Sequence, residues 1–294
     1  MKCRSGMAAM QWVGAAAAPV LFTLALFSPA ASSQGAATGS IEFVVLVTPS
    51  GGRAEPGRAT ALFLLTRSFA EIRQEAEASF AKPDLDEFID DLESSPELKA
   101  WMKKARTVDL TGPDFMRALK NEDIMKVPEF LEAYLARNAV DVAVGFPKPK
   151  HRESDREKNP ARYEKQKEDY IDGIRKFMDT YPHSRDGLDL HLVGINPGQR
   201  WVRLLAERDE DARLRALEWA NTRYRVARAE TGLDGRAGFV DVPPGDYWLS
   251  TLDREVAAGD VRMRWDAPVR VQAGQVTRLE LNNYNATPRE RAAQ

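Results

Sequence analysis

Strand-forming sequence in this chain comes in two blocks held far apart, and that split limits the folds open to it. Ile41–Thr48 and Ala59–Thr66 stand near the start, and strand chemistry returns at Tyr224–Asn283 only after roughly 150 residues of mostly helical pattern. Two short strands cannot bury their apolar faces alone, so the early pair needs the late block. The pattern predicts an α+β chain: residues 41–66 and 222–283 form one antiparallel β-sandwich, interrupted by a mostly α-helical insertion at 67–221. Residues 33–40 read as a linker and 284–294 as a flexible tail.

Local signals support each part. Phe43, Val45 and Val47 share one face of the first run by period two. Glu55-Pro56-Gly57 then breaks the chain, and the short spacing predicts that the two early runs pair as a hairpin. Asp84 and Glu87 have capping-box spacing, and Leu85, Phe88, Ile89 and Leu92 follow as one apolar stripe. Ser95-Pro96 opens a second helix, further helices follow Gly112-Pro113 and Pro128, and Asn159 caps another beginning at Pro160. Leu188–Leu205 is ambiguous around Asn196-Pro197-Gly198: Trp201–Leu205 fits a strand, and Asp209–Trp219 a short amphipathic helix. Later, Asp234-Gly235 is a turn pair, and Val242-Pro243-Pro244-Gly245 fits a type II turn with its positive φ on Gly245.

The N-terminus is built like an export signal. Lys2 and Arg4 give a short positive start, Trp12–Phe27 is uncharged and apolar, and Ser28, Ala30 and Ser32 have small-x-small spacing. Residues 1–32 are expected to be a cleaved signal peptide, with an uncleaved anchor as the alternative. The run contains Pro19 and is short for a span, so no stable membrane span is expected after cleavage. The formal charge of −2, less the two positive charges of Lys2 and Arg4, becomes −4, too weak to steer the chain toward nucleic acid, which usually needs a basic face; no nucleic-acid partner is expected. Cys3 is the single cysteine and lies in the leader, so the mature chain is expected to hold no disulfide and no thiol nucleophile. Export without disulfides fits a bacterial envelope, periplasmic or secreted.

Thr231, Asp234, Gly235, Phe239, Pro244, Gly245 and Tyr247 follow a recognisable order: Thr, a turn, an aromatic strand, a Pro-Gly turn, a second aromatic strand. This resembles the signature of carboxypeptidase regulatory-like domains. The resemblance covers 41–66 and 222–283, under a third of the chain. It implies a prealbumin-like (immunoglobulin-like) sandwich of the kind common in exported bacterial proteins. Such modules are usually non-catalytic and serve folding, anchoring or recognition. The family does not normally carry a helical insertion of this size.

Candidates for chemistry are few. His183 and His191 bracket Asp186 and Asp189, with Ser184 adjacent, so the atoms of a nucleophile, a base and an orienting acid are close in sequence. No Gly-x-Ser-x-Gly elbow accompanies them, and the His/Asp spacing matches no zinc pattern. The run Asp84, Asp86, Glu87, Asp90, Asp91, Glu93 lacks the glycine-containing loop of a calcium site and reads as a solvated helix face. Lys148, Lys150, His151, Arg152, Arg156 and Lys158 alternate with Glu153, Asp155 and Glu157, which reads as a mobile surface loop rather than an anion site. Trp101, Trp201, Trp219, Trp248 and Trp265 are the candidates for a carbohydrate-stacking platform, and most are expected in the core. The sequence thus assigns no catalytic, cofactor-binding or metal residue and no cofactor. The expected function is an exported, non-catalytic binding or scaffold protein of the bacterial envelope, with a protein or glycan partner. The alternative is an envelope hydrolase with its site in the helical insertion near His183–His191.

Overall fold

A computed structural model describes residues 37–140 and 145–287; the expected signal peptide, half of the linker and the end of the tail lie outside the described residues, and Gly39 and Ser40 of the expected linker belong to the first strand. The chain is mixed helix and sheet. Strands β1 (Gly39–Val47), β2 (Glu55–Pro56) and β3 (Ala61–Leu65) come first. Helices follow: α1 (Phe69–Ala78), α2 (Leu85–Asp90), α3 (Pro96–Ala105), α4 (Gly112–Ala118), α5 (Asn121–Lys126), α6 (Pro128–Val140), α7 (Asp155–Lys158), α8 (Pro160–Thr180) and α9 (Gly198–Trp219). The chain ends in β4 (Arg225–Glu230), β5 (Arg236–Val242), β6 (Gly245–Ser250), β7 (Val256–Ala258), β8 (Val261–Met263), β9 (Asp266–Val271) and β10 (Val276–Leu281).

The early and late strands interleave. Strand β1 lies between β10 and β5, with Phe43 opposite Leu279 on one side and Ala237 on the other. The pairing with β10 is parallel, a departure from the all-antiparallel expectation. Strand β3 does not pair with β1. It joins a second sheet in the order β4-β3-β6-β9, so the expected hairpin is replaced by a crossing between sheets. The reason is visible in the ladder: β5 and β10 occupy β1 on both sides along most of its length, leaving β2 only Leu46 and Val47. Thr231 fixes the corner where the chain crosses. Its buried hydroxyl donates to Gly57 O at 2.5 Å and accepts from Thr60 N–H at 2.9 Å.

Side chains of the two sheets meet in one apolar cluster that includes Phe43, Val45, Leu62, Leu64, Leu249 and the fully enclosed Trp265. Phe43 and Phe239 sit with ring centroids 5.6 Å apart. All five residues of β3 are buried because both of its faces are covered. Leu62 and Leu64 face the first sheet; Ala61, Phe63 and Leu65 face α1 and α9. Gly245 does not take the positive φ expected of a type II turn; a positive φ falls instead on Asp241 (56°), inside β5 where its register with β1 shifts. Gly235 does need its freedom: its φ is 76°, and a Cβ there would lie 2.6 Å from Val45 O.

Helix starts follow the local rules. Asp84 accepts from Asp86 and Glu87 N–H, Ser95 accepts from Leu98 N–H, and Asn159 accepts from Arg162 N–H. Helices α2 to α6 and α8 enclose their own core around Trp101, Phe115 and Phe130, whose rings meet edge-on at 5.0–5.6 Å. Trp201–Leu205 is helical, not extended: Gly198–Trp219 is one continuous helix. Its inward stripe of Trp201, Leu205, Arg208, Ala212, Ala216 and Trp219 follows the helical period over the whole length. The charged segment after residue 145 makes contacts with α8. Tyr163 OH donates to Glu153 at 2.5 Å, and His151 packs edge-on against Tyr163 at 5.4 Å.

Candidate functional site

The structure brings the histidine segment together only in part. His183 Nδ1 lies 3.0 Å from Asp186 Oδ2, and both side chains are exposed. Ser184 Oγ instead pairs with Tyr134 OH at 2.7 Å, beneath the segment. Asp189 Oδ2 accepts from Gly112 N–H at 3.0 Å, at the start of α4. His191 is exposed on a single-turn helix, without a bond to His183, Asp186 or Ser184 among the described residues. The two groups that a hydrolase would need as nucleophile and second acid are thus engaged in holding turns against α6 and α4. Burial pushes the Tyr134 phenol up, opposed by its bond to Ser184 and by Arg185. The acidic run caps α2 through Asp84, while Asp86 and Asp90 pair with Arg106 and Lys103; among the described residues no cluster of metal-ligating side chains forms.

A different set of residues makes a concave site. A cavity of about 610 Å³ opens where the α3–α4 loop meets the first turns of α9. Asn196 organises it. Its Oδ1 accepts from Leu110 N–H at 3.0 Å and Gly198 N–H at 3.1 Å, while its Nδ2 donates to Asp109 Oδ1 at 2.9 Å and Thr111 Oγ1 at 3.1 Å. One amide therefore ties the loop to the start of the helix. Asp109 Oδ1 also takes both the N–H and the hydroxyl of Thr111, at 3.0 and 2.7 Å. Burial pushes the Asp109 carboxyl up, but the bonds from Thr111 and Asn196 outweigh it and hold it below the usual range. Its Oδ2 carries no bond among the described residues.

Trp201 forms a wall of this cavity, backed by Phe88 at 5.1 Å between ring centroids. Gln199 and Arg203, also on the lining, have no side-chain partner among the described residues. The result is a mostly apolar hollow with one aromatic ring, one carboxylate fixed by a network, and an amide and a guanidinium left to bond a ligand. Sequence reading singled out Trp201 but missed Asp109 and Asn196. Asn196-Pro197-Gly198 reads as the approach to a helix, since an Asn side chain can accept from the N–H two residues on, and equally as an interruption, because Trp201–Leu205 suits a strand.

No family model matches the chain, and no curated protein matches it. A crystal structure of a "putative carbohydrate binding protein" from Pseudomonas aeruginosa aligns with 86% of this chain and 93% of its own, at 11% identity and a TM-score of 0.26. A likeness that loose carries no argument about either fold or ligand. Among the described residues, no helix is long and apolar enough to cross a membrane.

Proposed function

We propose that this protein is an exported, non-catalytic binding protein of the bacterial envelope that recognises a glycan in the cavity at Trp201. The observation that carries the reading is the Asn196 network, which holds Asp109 rigidly beside an aromatic wall while leaving its second oxygen free. A sugar presents an apolar ring face to an indole and hydroxyls to a carboxylate, so this pairing of groups suits it. The β-rich part is proposed as a prealbumin-like sandwich of the carboxypeptidase regulatory-like type, with 67–221 as its insertion. The shared core of the two sheets supports this, as does the position of Thr231, Gly235, Phe239 and Tyr247 at its corner, turn and inner face. Export rests on the charge and hydropathy of residues 1–32 and is tested by sequencing the N-terminus of the envelope-fraction protein.

Titration of intrinsic tryptophan fluorescence with soluble oligosaccharides of the cell wall tests the ligand. Saturable binding should be seen, weakened on the order of 10-fold or more by Trp201→Ala, since base-sized and ring-sized stacking contributes roughly 1–3 kcal/mol. Equal binding by wild type and Trp201→Ala, with both folded, would remove this cavity as the site.

A further inference from the structure

A second cavity, of about 480 Å³, lies at the other end of α9, and its lining is cationic: Arg213, Arg225, Arg228 and Arg254 surround it, with Asp253 as the one carboxylate. These guanidinium groups come from three places, namely α9, β4 and the turn after β6. Two of the arginines reach one side only because of a backbone irregularity. Arg225 and Arg228 are three apart, so a regular strand would point them to opposite faces. Phe63 pairs with Arg228 and Leu64 with Ala227, but Leu65 pairs with Arg225, and Val226 is skipped as a bulge. Phe63 and Leu65 both face the helices, so the bulge turns both arginines to that face.

The charges are not cancelled within the protein. Arg213 is held by Glu210 at 2.8 Å and by Asp253, which consumes the cavity's carboxylate. Those bonds, Glu210 first, raise the Arg213 pKa and keep the group charged. Arg225 bonds only neutral Asn221, at 3.3 Å. Arg228 has an exposed Glu230 at 3.5 Å, a pairing that contributes little in water. The Arg254 guanidinium has no partner among the described residues; only its backbone N–H is bonded, to Thr251 O at 3.1 Å. Arginines on an edge strand such as β4 also guard against aggregation. That role does not call for a bulge that aligns them, nor for Arg213 and Arg254 arriving from other elements around a hollow. The floor is apolar, formed by Phe63, Leu217 and Leu252.

We propose that this cavity binds the acidic group of a sugar-sized ligand: a carboxylate or a phosphate gripped by Arg225, Arg228 and Arg254, with the ring lying over the apolar floor. Planar guanidinium forks suit both anions, and a neutral sugar gains nothing from them. The site is separate from the Trp201 cavity. The 12 residues from Trp201 to Arg213 rise about 18 Å along α9, so one sugar unit cannot fill both.

Calorimetric titration of the full exported chain with glucuronate, glucose 6-phosphate, glucose and inorganic phosphate tests this. Binding of either acidic sugar, with glucose silent, is the expected result, and the preference between the two assigns the carboxylate or the phosphoryl source. Arg254→Glu and Arg225→Gln should each weaken it on the order of 10-fold or more, since bonds to charged groups contribute about 1.5–3 kcal/mol. Affinity should fall as salt rises. Thermal melting separates this from a structural role: neither arginine has a carboxylate partner to lose among the described residues, so the melting temperature of both variants should stay level or rise. Three outcomes overturn the proposal: no acidic sugar binding at millimolar concentration, affinities unchanged in Arg254→Glu, or glucose 6-phosphate binding no tighter than inorganic phosphate with glucuronate silent. A Trp201→Ala control should leave this binding intact, so loss of the glycan reading at the first cavity and loss of this one are told apart.

Discussion

Asn196→Ala removes four hydrogen bonds with one substitution, and its cost can be worked out from them. Two are backbone donors, Leu110 N–H and Gly198 N–H, which both end on Oδ1 in a partly buried setting. Alanine offers them nothing. A buried donor left unpaired costs about 1–3 kcal/mol, and partial access to water places each near the low end. The Nδ2 bonds to Asp109 and Thr111 are lost as well, but Asp109 keeps both bonds from Thr111. The total comes to about 2–3 kcal/mol. With a urea m-value of about 3 kcal/mol/M, the unfolding midpoint should drop by about 0.7–1 M.

Asn196→Asp sharpens the test through its sign. It keeps Oδ1 for the backbone donors and replaces the amide nitrogen, 2.9 Å from Asp109 Oδ1, with a second carboxylate oxygen. Like charges that close raise the pKa of the pair in the folded state. The folded variant then binds more protons than the unfolded chain, so its stability falls as pH rises through that raised value. Wild-type Asp109 behaves oppositely: its folded pKa is depressed, so its contribution is present at neutral pH and fades as pH falls through the folded value. The variant's deficit should therefore be widest at pH 7 and close toward pH ~4. Equilibrium urea unfolding read by tryptophan fluorescence measures both effects. A midpoint shift for Asn196→Ala below about 0.2 M, or parallel pH profiles for wild type and Asn196→Asp, would refute the claim that this amide ties the loop to α9.

Three further outcomes are expected. Phe43→Ala should cost about 3–5 kcal/mol in urea unfolding, because the ring is buried at the junction of the two sheets and stacks on Phe239. Asp266 reaches from β9 to accept Ala70 N–H at 3.1 Å in the first turn of α1; burial raises its carboxyl, with bonds from Phe69, Ala70 and Ser250 opposing. Its contribution to stability should decline as pH rises from its ordinary 3.8 through the raised folded value, and Asp266→Asn should flatten that limb of the melting-temperature profile. Ser184→Ala should cost about 0.5–1.5 kcal/mol by losing the Tyr134 bond while leaving glycan binding unchanged; a loss of turnover on any envelope substrate in this variant would revive the hydrolase reading.

What could be read from the sequence was local. Asp84, Ser95 and Asn159 cap helices because a cap needs only a side chain and an N–H two or three residues away. The period-two face of β1 was legible for the same reason. Pairing was not. Whether β3 joins β1 depends on β5 and β10, nearly two hundred residues downstream, which take up β1's ladder. One hint was present: Ala61–Leu65 is an unbroken apolar run, the mark of a strand covered on both faces, whereas an outer hairpin strand would alternate. The bulge at Val226 leaves no trace in the sequence, since it is defined by which residue of β3 faces which residue of β4. The Trp201 cavity was missed because its organising residue is 86 positions from the backbone it holds at Leu110.

Helix α9 explains how two hollows of different chemistry stay in fixed relation. Its middle is clamped. Ala212 and Ala216 are fully buried, and side chains that small let α1 lie close. Arg208 donates to Glu77 O at 2.9 Å and Phe80 O at 3.3 Å, satisfying carbonyls at the C-terminal end of α1 where a cation is favoured. The N-terminal end then meets the α3–α4 loop through Asn196, and the C-terminal half meets the β4–β3–β6–β9 sheet through Trp219 and Arg213. A helix held at its centre and joined to a different partner at each end cannot tilt toward one cavity without straining the other. The β-rich part thereby bears on the position of Trp201, although none of its residues lines the Trp201 cavity.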